Sequence, residues 1–151
     1  MSPKKILRSV KIIYYFMLIS PAVLLFFLFL SPAEKIIKDN LISVLYIGVL
    51  LIAIIPILFV ANWFINKKIE KIISEKFLRI KLMEYLKIKT LEYALYEMTL
   101  IFAALSFLIV ESFALQIIFA ILYIFFFIKR PSVEKIAEDL KLNSEELREL
   151  Q

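Results

Sequence analysis

Residues 98–128 read MTLIFAALSFLIVESFALQIIFAILYIFFFI, and the one charged residue among them is Glu111. As a single helix this stretch would be about 46 Å long at 1.5 Å per residue, well beyond the ~30 Å of a bilayer's hydrocarbon core. Two spans of about 18 residues need some 36 residues, and counting back that far from Ile128 reaches Tyr93. The stretch therefore predicts a helical hairpin that turns at Glu111-Ser112.

The composition of the whole chain has the same membrane character. Hydrophobic residues make up 62% of the 151, the mean hydropathy is +0.87, and the charges are confined to blocks between long uncharged runs. A soluble domain carries about 45–50% apolar residues, whereas a charge at the centre of a bilayer costs roughly 2.5–3.5 kcal/mol. One Gly and five Pro leave few places to turn, and the unbroken apolar run 23–30 lacks the alternation of a membrane β-barrel. The chain is therefore predicted to be all-α.

Two further uncharged runs predict the first two spans. Residues 12–30 contain Pro21, and residues 41–65 are equally free of charge. A cleaved signal peptide is the alternative interpretation of the first run, which is longer than the usual 7–15 apolar residues. Between the runs, Ser31-Pro32-Ala33-Glu34 has the residue order of a helix start and predicts a short surface helix to about Asp39.

These patterns together predict a polytopic membrane protein with four transmembrane helices. The spans are expected over residues 12–30, 41–65, 93–110 and 113–128. The transmembrane domain would comprise residues 1–130, and a short helical cytoplasmic tail, residues 131–151, would follow it.

The charged segment between the second and third spans predicts a cytoplasmic amphipathic helix over about 67–90. Its apolar residues fall on one face at helical spacing: Ile69, Ile72, Ile73, Phe77, Ile80 and Met83. Basic amphipathic helices attract anionic lipid headgroups, by about 1 kcal/mol for each Lys or Arg near the surface. The candidate lipid contacts are Lys67, Lys68, Lys71, Lys76, Arg79 and Lys81.

The tail is predicted to form two short helices. Ser132 is the expected cap of the first, and Asn143 with Glu146 three residues later is a capping pair for the second. From Lys129 onward six acids face five bases, a balance that would repel phosphate, so no nucleic acid partner is expected.

The distribution of positive charge predicts the orientation. With both termini and the second loop in the cytoplasm, 17 of the 19 Lys and Arg lie inside, as the positive-inside rule requires.

Two polar residues of the apolar runs are candidates for a functional or packing role. Glu97 would lie just inside the cytoplasmic edge of the third span, and Gln116 would lie in the fourth. Carboxylates in a membrane usually face the bundle interior, pair with a base or line a polar path. Helix packing, contact with a partner, and transport all remain open for Glu97.

Catalytic chemistry has no visible basis in this sequence. Cys and His are both absent, which removes the usual zinc, haem and iron–sulfur ligands and the common nucleophile–base pairs. No catalytic residue, metal site or cofactor is predicted, and an enzyme is not expected.

Three segments carry a resemblance to a known family: Ala94-Leu95-Tyr96-Glu97, Lys129-Arg130-Pro131-Ser132-Val133-Glu134-Lys135-Ile136 and Asp139-Leu140-Lys141-Leu142. In these the chain resembles uncharacterised four-transmembrane-helix proteins of Bacteroidota. That family often reads Ala-Leu-x-Glu in the third span and Arg-Pro-x-x-Glu-x-Ile after the fourth. The resemblance implies a bacterial inner membrane and no particular activity.

The leading hypothesis is a non-enzymatic accessory or scaffold subunit that acts through helix–helix and cytoplasmic contacts, with a partner membrane protein or a second copy of itself. The alternative is a small oligomeric transporter or channel, in which Glu97 and Gln116 would line a polar path.

Overall fold

The computed structural model describes residues 2–30, 40–75, 77–110 and 112–150, and these residues form six α-helices. The helices are α1 Pro3–Leu30, α2 Asn40–Ile73, α3 Leu78–Ile109, α4 Phe113–Ile128, α5 Val133–Leu140 and α6 Ser144–Leu150. The prediction of an all-helical chain is therefore confirmed. The short helix predicted for 31–39 and the turn residue Glu111 lie outside the described residues.

Three of the helices are long and apolar enough to cross a membrane: α1 over Pro3–Leu28, α2 over Leu41–Ile73, and α3 over its whole length. Helix α4 has 16 residues, about 24 Å of helix, which is slightly short of the hydrocarbon core. It passes the same test together with α5, from which it is bent by 77°. The chain thus has three to four candidate spans.

Helix α3 lies at the centre of the fold and packs against α1, α2 and α4. Its buried face carries small residues, Ala103, Ala104 and Ser106, which let neighbouring backbones approach closely. These residues belong to a large apolar cluster, here called the bundle core. Its other buried members are Val10, Tyr14, Leu18, Leu50, Ile54, Tyr93, Leu100, Phe107, Val110, Leu115, Phe119, Leu122 and Phe126.

A second apolar cluster, here called the tail core, joins the two tail helices to the starts and ends of the long ones. Its buried residues are Ile6, Leu7, Ile65, Ile69, Ile72, Leu78, Leu82, Tyr85, Ile88, Ile136, Leu140 and Leu150. The first turns of α1, the end of α2, the start of α3 and both tail helices therefore meet at one end of the molecule. The tail is a packed element of the fold.

The amphipathic helix predicted over 67–90 is not one helix. Helix α2 continues to Ile73, Ser74 and Glu75 leave helical geometry, and a new helix begins at Leu78. The residues that were expected on one lipid-facing stripe are divided accordingly. Ile69 and Ile72 are buried in the tail core, because α2 and α3 fold back on each other there and shield their apolar faces from water.

The hairpin of the last apolar stretch agrees with its prediction in the described residues. Helix α3 ends at Ile109 and α4 covers residues 113–128, as expected for the fourth span. Ser112 caps α4 by accepting a hydrogen bond from the Ala114 N–H at 3.2 Å. Helix α3 itself begins at Leu78, so the third span predicted over 93–110 is the second half of a longer helix.

Both predicted tail caps are confirmed. The Ser132 hydroxyl accepts from the Lys135 N–H at 3.1 Å, which caps α5. Asn143 Oδ1 accepts from the Glu146 N–H at 2.8 Å, and Glu146 Oε2 accepts from the Asn143 N–H at 3.0 Å. This reciprocal pair is a capping box, which satisfies two backbone donors that α6 would otherwise leave open.

Candidate functional site

Six polar side chains lie between the bundle core and the tail core and touch one another in series. This series, here called the charge chain, consists of Asn62, Lys129, Glu92, Lys89, Asp139 and Tyr85. They come from α2, the end of α4, α3 and α5. The charge chain therefore crosses most of the fold at the end of the bundle core.

The first half of the charge chain is organised by Lys129. Its Nζ donates to Asn62 Oδ1 at 3.1 Å and lies 3.1 Å from Glu92 Oε1. The same ammonium stands 5.9 Å from the centre of the Tyr96 ring, a cation–π distance. One lysine at the end of α4 thus ties that helix to both α2 and α3.

The second half is organised by Lys89. Its Nζ donates to Glu92 Oε2 at 2.8 Å and lies 3.2 Å from Asp139 Oδ2, and the Tyr85 hydroxyl donates to that same Asp139 oxygen at 2.7 Å. Lys89 and Glu92 are only 6% and 3% exposed. Because Asp139 belongs to α5, this half of the chain holds the tail against α3.

The charge chain is electrically balanced, with two ammonium groups and two carboxylates. Balance matters here, because burying an unpaired charge costs several kcal/mol, whereas a well-paired group can be close to neutral for stability. One atom is imperfectly satisfied. Within the part of the chain that the structure describes, Glu92 Oε1 accepts no hydrogen bond of good geometry, although Lys129 Nζ is 3.1 Å away.

Sequence analysis missed the charge chain, although a signal for it was present. The hairpin interpretation sets residue 93 opposite residue 128, which places Glu92 opposite Lys129 just outside the two apolar runs. Lys89 and Glu92 are also spaced i, i+3 on one helix, which brings their side chains together.

A second ion pair fixes α6. Lys81 Nζ lies 3.0 Å from Glu146 Oε1, with the two side chains 6% and 17% exposed. Burial opposes ionisation of Glu146, but the Asn143 backbone N–H and the Lys81 ammonium together lower the pKa of this carboxyl below its ordinary value. The same carboxylate therefore caps α6 and pairs that helix with α3.

Glu97 makes a contact within the bundle. It is partly buried, and its Oε1 accepts a hydrogen bond from the Ser20 hydroxyl of α1, next to the buried Pro21. This joins α1 to α3 through polar groups of two candidate spans, and polar contacts of this kind are typical of helix packing in lipid. No basic partner of Glu97 occurs among the described ion pairs.

Gln116 lies on the exposed face of α4, in its first turn. It follows the start of α4 by about 4.5 Å of helix, whereas Glu97 precedes the end of α3 by about 18 Å. The two residues are therefore at different depths of the hairpin. The structure does not bring them together.

The predicted lipid contacts divide into two groups. Lys67, Lys68, Lys71 and Arg79 are exposed, whereas Lys81 is buried in its pair with Glu146; Lys76 lies outside the described residues. The ammonium of Lys67 stands 5.0 Å from the Trp63 ring centre, and that of Lys68 stands 4.6 Å from the Phe64 ring centre. Lys67 and Lys68 therefore lie next to the apolar part of α2, at its Trp63 and Phe64.

An exposed apolar surface remains at the far end of the tail core, where α2 and α3 meet. Phe77, Ile80 and Met83 are 68%, 45% and 41% exposed, and we call them the tip patch. Along α3 the tip patch begins beside the charge chain, since Met83 is two residues from Tyr85, and it extends away from the charge chain to Phe77 at the start of the helix.

No cluster that could hold a metal ion occurs among the described residues. Comparisons of the chain with protein-family models, with curated proteins and with solved structures found no match. What the charge chain and the tip patch do is therefore inferred from their geometry.

Proposed function

We propose that this is a multi-pass protein of a bacterial inner membrane, with four spans and both termini in the cytoplasm. Lys and Arg are concentrated in the parts of the chain that meet at the tail core, and only Lys35 and Lys38 fall in the sequence between α1 and α2. Cytoplasmic loops carry such an excess of positive charge. The resemblance to Bacteroidota membrane proteins supports the bacterial location.

We further propose that the protein is a non-enzymatic accessory or scaffold subunit. The observation that carries this proposal is the tip patch, three exposed apolar side chains on a firmly supported unit that we place in the cytoplasm. The tail core and the charge chain hold that unit in a fixed position relative to the bundle. Exposed apolar residues grouped on a rigid support are typical of surfaces that bind another protein.

The exposed lysines beside the bundle support a secondary contact with lipid. Lys67 and Lys68 follow the last apolar turn of α2 and lie over Trp63 and Phe64. Aromatic rings and lysines at this position favour the boundary between hydrocarbon and headgroups. Anionic headgroups at the cytoplasmic face are the expected lipid partners.

The test of the scaffold proposal is co-purification from the source membrane with and without the tip patch. The parent protein should retain a partner, or a second copy of itself, in a fixed molar ratio. The double variant Phe77→Ser with Ile80→Ser should lose it, because both apolar contacts are replaced by small polar groups. Arg79→Ser is the matched control, since it changes an exposed residue between them without altering the apolar surface.

Two outcomes would remove the proposal. The same partner could be retained by the double variant, or the control could lose it equally. Reporter fusions after Lys68 and at the C-terminus, expected to be cytoplasmic, and after Lys38, expected to be external, test the topology separately.

The geometry does not favour the transporter hypothesis. Glu97 is joined to Ser20 and Gln116 is on the exposed face of α4, so their contacts give no support for a shared polar path.

A further inference from the structure

Helix α3 packs against α1, α2 and α4 through one face, and its opposite face is exposed. A helix turns by about 100° for each residue, so residues three and four apart share one face. Eight residues of the exposed face lie in this way within a sector of about 80°. The set, here called the α3 stripe, consists of Ile80, Glu84, Lys87, Leu91, Ala94, Met98, Phe102 and Leu105, all exposed or half-buried.

The spacing of the α3 stripe is that of a contact between two helices. From Ile80 to Met98 its members are alternately four and three residues apart. An average spacing of 3.5 residues defines the seam of a left-handed coiled coil, and most helix pairs in membranes cross at a similar angle. Ala94 stands in the middle, where a small residue lets two backbones approach closely.

The length of the α3 stripe restricts what can cover it. From Ile80 to Leu105 it extends for about 38 Å, more than the ~30 Å of hydrocarbon in a bilayer. In the proposed membrane location Met98 and Leu105 lie in the bilayer, and Ile80 lies in the cytoplasm beyond the charge chain. Lipid would cover only the first part and a soluble protein only the second. A helix that covers the whole stripe must itself cross the membrane and continue into the cytoplasm.

The charges of the α3 stripe are complementary to themselves. Its two charged residues have opposite signs, and Lys87 Nζ lies 2.6 Å from Glu84 Oε1. The two side chains are 67% and 43% exposed, so both remain accessible to a partner. Two copies in one membrane present α3 at the same depth and in the same direction. Across a two-fold axis, the Lys87 of each copy would then approach the Glu84 of the other.

We infer that α3 pairs in parallel with α3 of a second copy of this chain, through the α3 stripe and about a two-fold axis. The inference rests on the proposed membrane location, and it gives the scaffold subunit a defined contact with itself. A second copy meets every requirement of the surface. It supplies a helix of the same length, the same 3.5-residue spacing and the opposite charges at the matching depth.

The absence of Cys from the sequence makes disulfide cross-linking of the full-length protein in its membrane a clean test. Leu91→Cys, Met98→Cys and Leu105→Cys place single thiols at successive heptad positions of the stripe. Ile52→Cys on α2 and Ile124→Cys on α4 are the controls, since these residues are 74% and 58% exposed. A disulfide forms only between Cα atoms within about 7 Å, so we expect at least about tenfold more cross-linked dimer from the stripe than from the controls.

Exchange of charge tests whether the partner is a second copy. Lys87→Glu makes both charged positions of the stripe acidic, and Glu84→Lys makes both basic. Either change should lower cross-linking through Met98→Cys by about fivefold, as expected for the loss of about 1 kcal/mol of ion pairing. Differently tagged copies that carry the two changes, expressed in one membrane, should cross-link to each other as well as the parent does.

A bulky residue tests the close approach at Ala94. Ala94→Trp should lower cross-linking through Met98→Cys by about tenfold or more, equivalent to ~1.4 kcal/mol, because the indole separates the two backbones. Ala53→Trp is the matched control, since it places the same side chain at an exposed alanine of α2 and should leave cross-linking unchanged.

Three results would overturn the inference: equal cross-linking at the control cysteines, no recovery when the charge-exchanged copies are mixed, or undiminished cross-linking with Ala94→Trp. The scaffold proposal stands or falls separately. Co-purification through the tip patch decides that proposal, whereas cross-links at residues 91–105, outside the tip patch, decide this one.

Discussion

The bundle core and the tail core are built largely from the same long helices, but in the proposed membrane location lipid would surround the first and water the second. In the candidate spans of α1 and α2 only 22% and 11% of the most apolar window is buried, and residues such as Phe59 and Ile52 are about three-quarters exposed. In the proposed membrane location, lipid would solvate such side chains as well as protein does, so the bundle would gain no hydrophobic driving force from burying them.

Packing and a few polar contacts remain to hold the bundle together. The small residues of α3 allow close approach, and two interhelical hydrogen bonds cross the core. Ser20 donates to Glu97, and the hydroxyls of Tyr46 and Ser106 lie 3.1 Å apart. The Tyr14 hydroxyl also donates to the Phe127 carbonyl at 3.0 Å, which satisfies a backbone acceptor at the end of α4.

The tail core is instead stabilised by the hydrophobic effect. Its leucines and isoleucines gain about 25 cal/mol for each Å² of apolar surface removed from water. The charge chain lies between the two cores, and its Lys89 and Glu92 are only 6% and 3% exposed. This difference predicts that the two cores respond differently to substitutions and to denaturants.

The largest effect is expected from breaking the charge chain at its centre. Glu92→Gln leaves Lys89 with Asp139 and removes the carboxylate that faces Lys129, and the uncompensated charge should cost about 3–5 kcal/mol. The free energy of unfolding in mixed micelles measures this. Glu84→Gln is the matched control: it removes an exposed i, i+3 pair with Lys87, which should be worth less than about 1 kcal/mol. If both variants lowered the free energy of unfolding equally, the charges of the charge chain would be as well solvated as an exposed ion pair.

The next effect distinguishes the two cores directly. Leu140 and Leu115 are both 0% exposed, the first in the tail core and the second in the bundle core. Leu140→Ala should destabilise the docked tail by about 2–5 kcal/mol and lower the urea concentration at which α5 becomes open to proteolysis. Leu115→Ala should leave that midpoint in place. A common shift in both variants would mean that the two cores unfold as one unit.

Much of the fold follows from apolar run length, and the hairpin shows why. Two constraints, the thickness of a bilayer and one permitted turn, suffice to place α4 at residues 113–128. The tail caps were equally local, because Ser132 and the Asn143–Glu146 pair act within one helical turn. Local sequence patterns thus predict the structure where residues within a single helix determine it.

The division of 67–90 could not be read in this way. One continuous amphipathic helix and two helices packed on a tail place apolar residues at the same spacing, and only contacts with Ile136 and Leu140 distinguish them. The same long-range packing buries Lys81, which the sequence assigns to the surface with its neighbours. The positive charge of Lys81 does not indicate that its partner is Glu146, which lies 65 residues later in the sequence.

A smaller effect is expected from acid. The pKa of Glu146 is lowered in the folded protein, so its ionised form stabilises the docked tail at neutral pH. That contribution is complete above the ordinary pKa of about 4.3 and disappears as the pH falls through the lower folded value. Glu146→Gln should therefore weaken tail docking by about 1 kcal/mol at pH 7 and by progressively less as the pH falls below the ordinary pKa of the carboxyl. Hydrogen exchange of α6 measures the difference, and a constant difference across this range would exclude the carboxylate as its source.

The smallest effect, and the one stabilising change, concerns Lys141 at the end of α5. Its φ of 49° lies in the left-handed region, where its N–H closes the helix onto the Ala137 and Glu138 carbonyls. A side chain with a Cβ pays about 1–2 kcal/mol for this conformation, and glycine returns part of it through greater freedom of the unfolded chain. Lys141→Gly should therefore stabilise the docked tail by about 0.5–1 kcal/mol, measured as a higher urea midpoint for proteolysis of α5.

Lys135→Gly, within the helix, should lower the same midpoint by a comparable amount, since glycine costs about 1 kcal/mol in a helix interior. If both glycines lower the midpoint, the left-handed turn is not what limits docking of the tail. The tail core would then depend on its buried leucines and the charge chain alone.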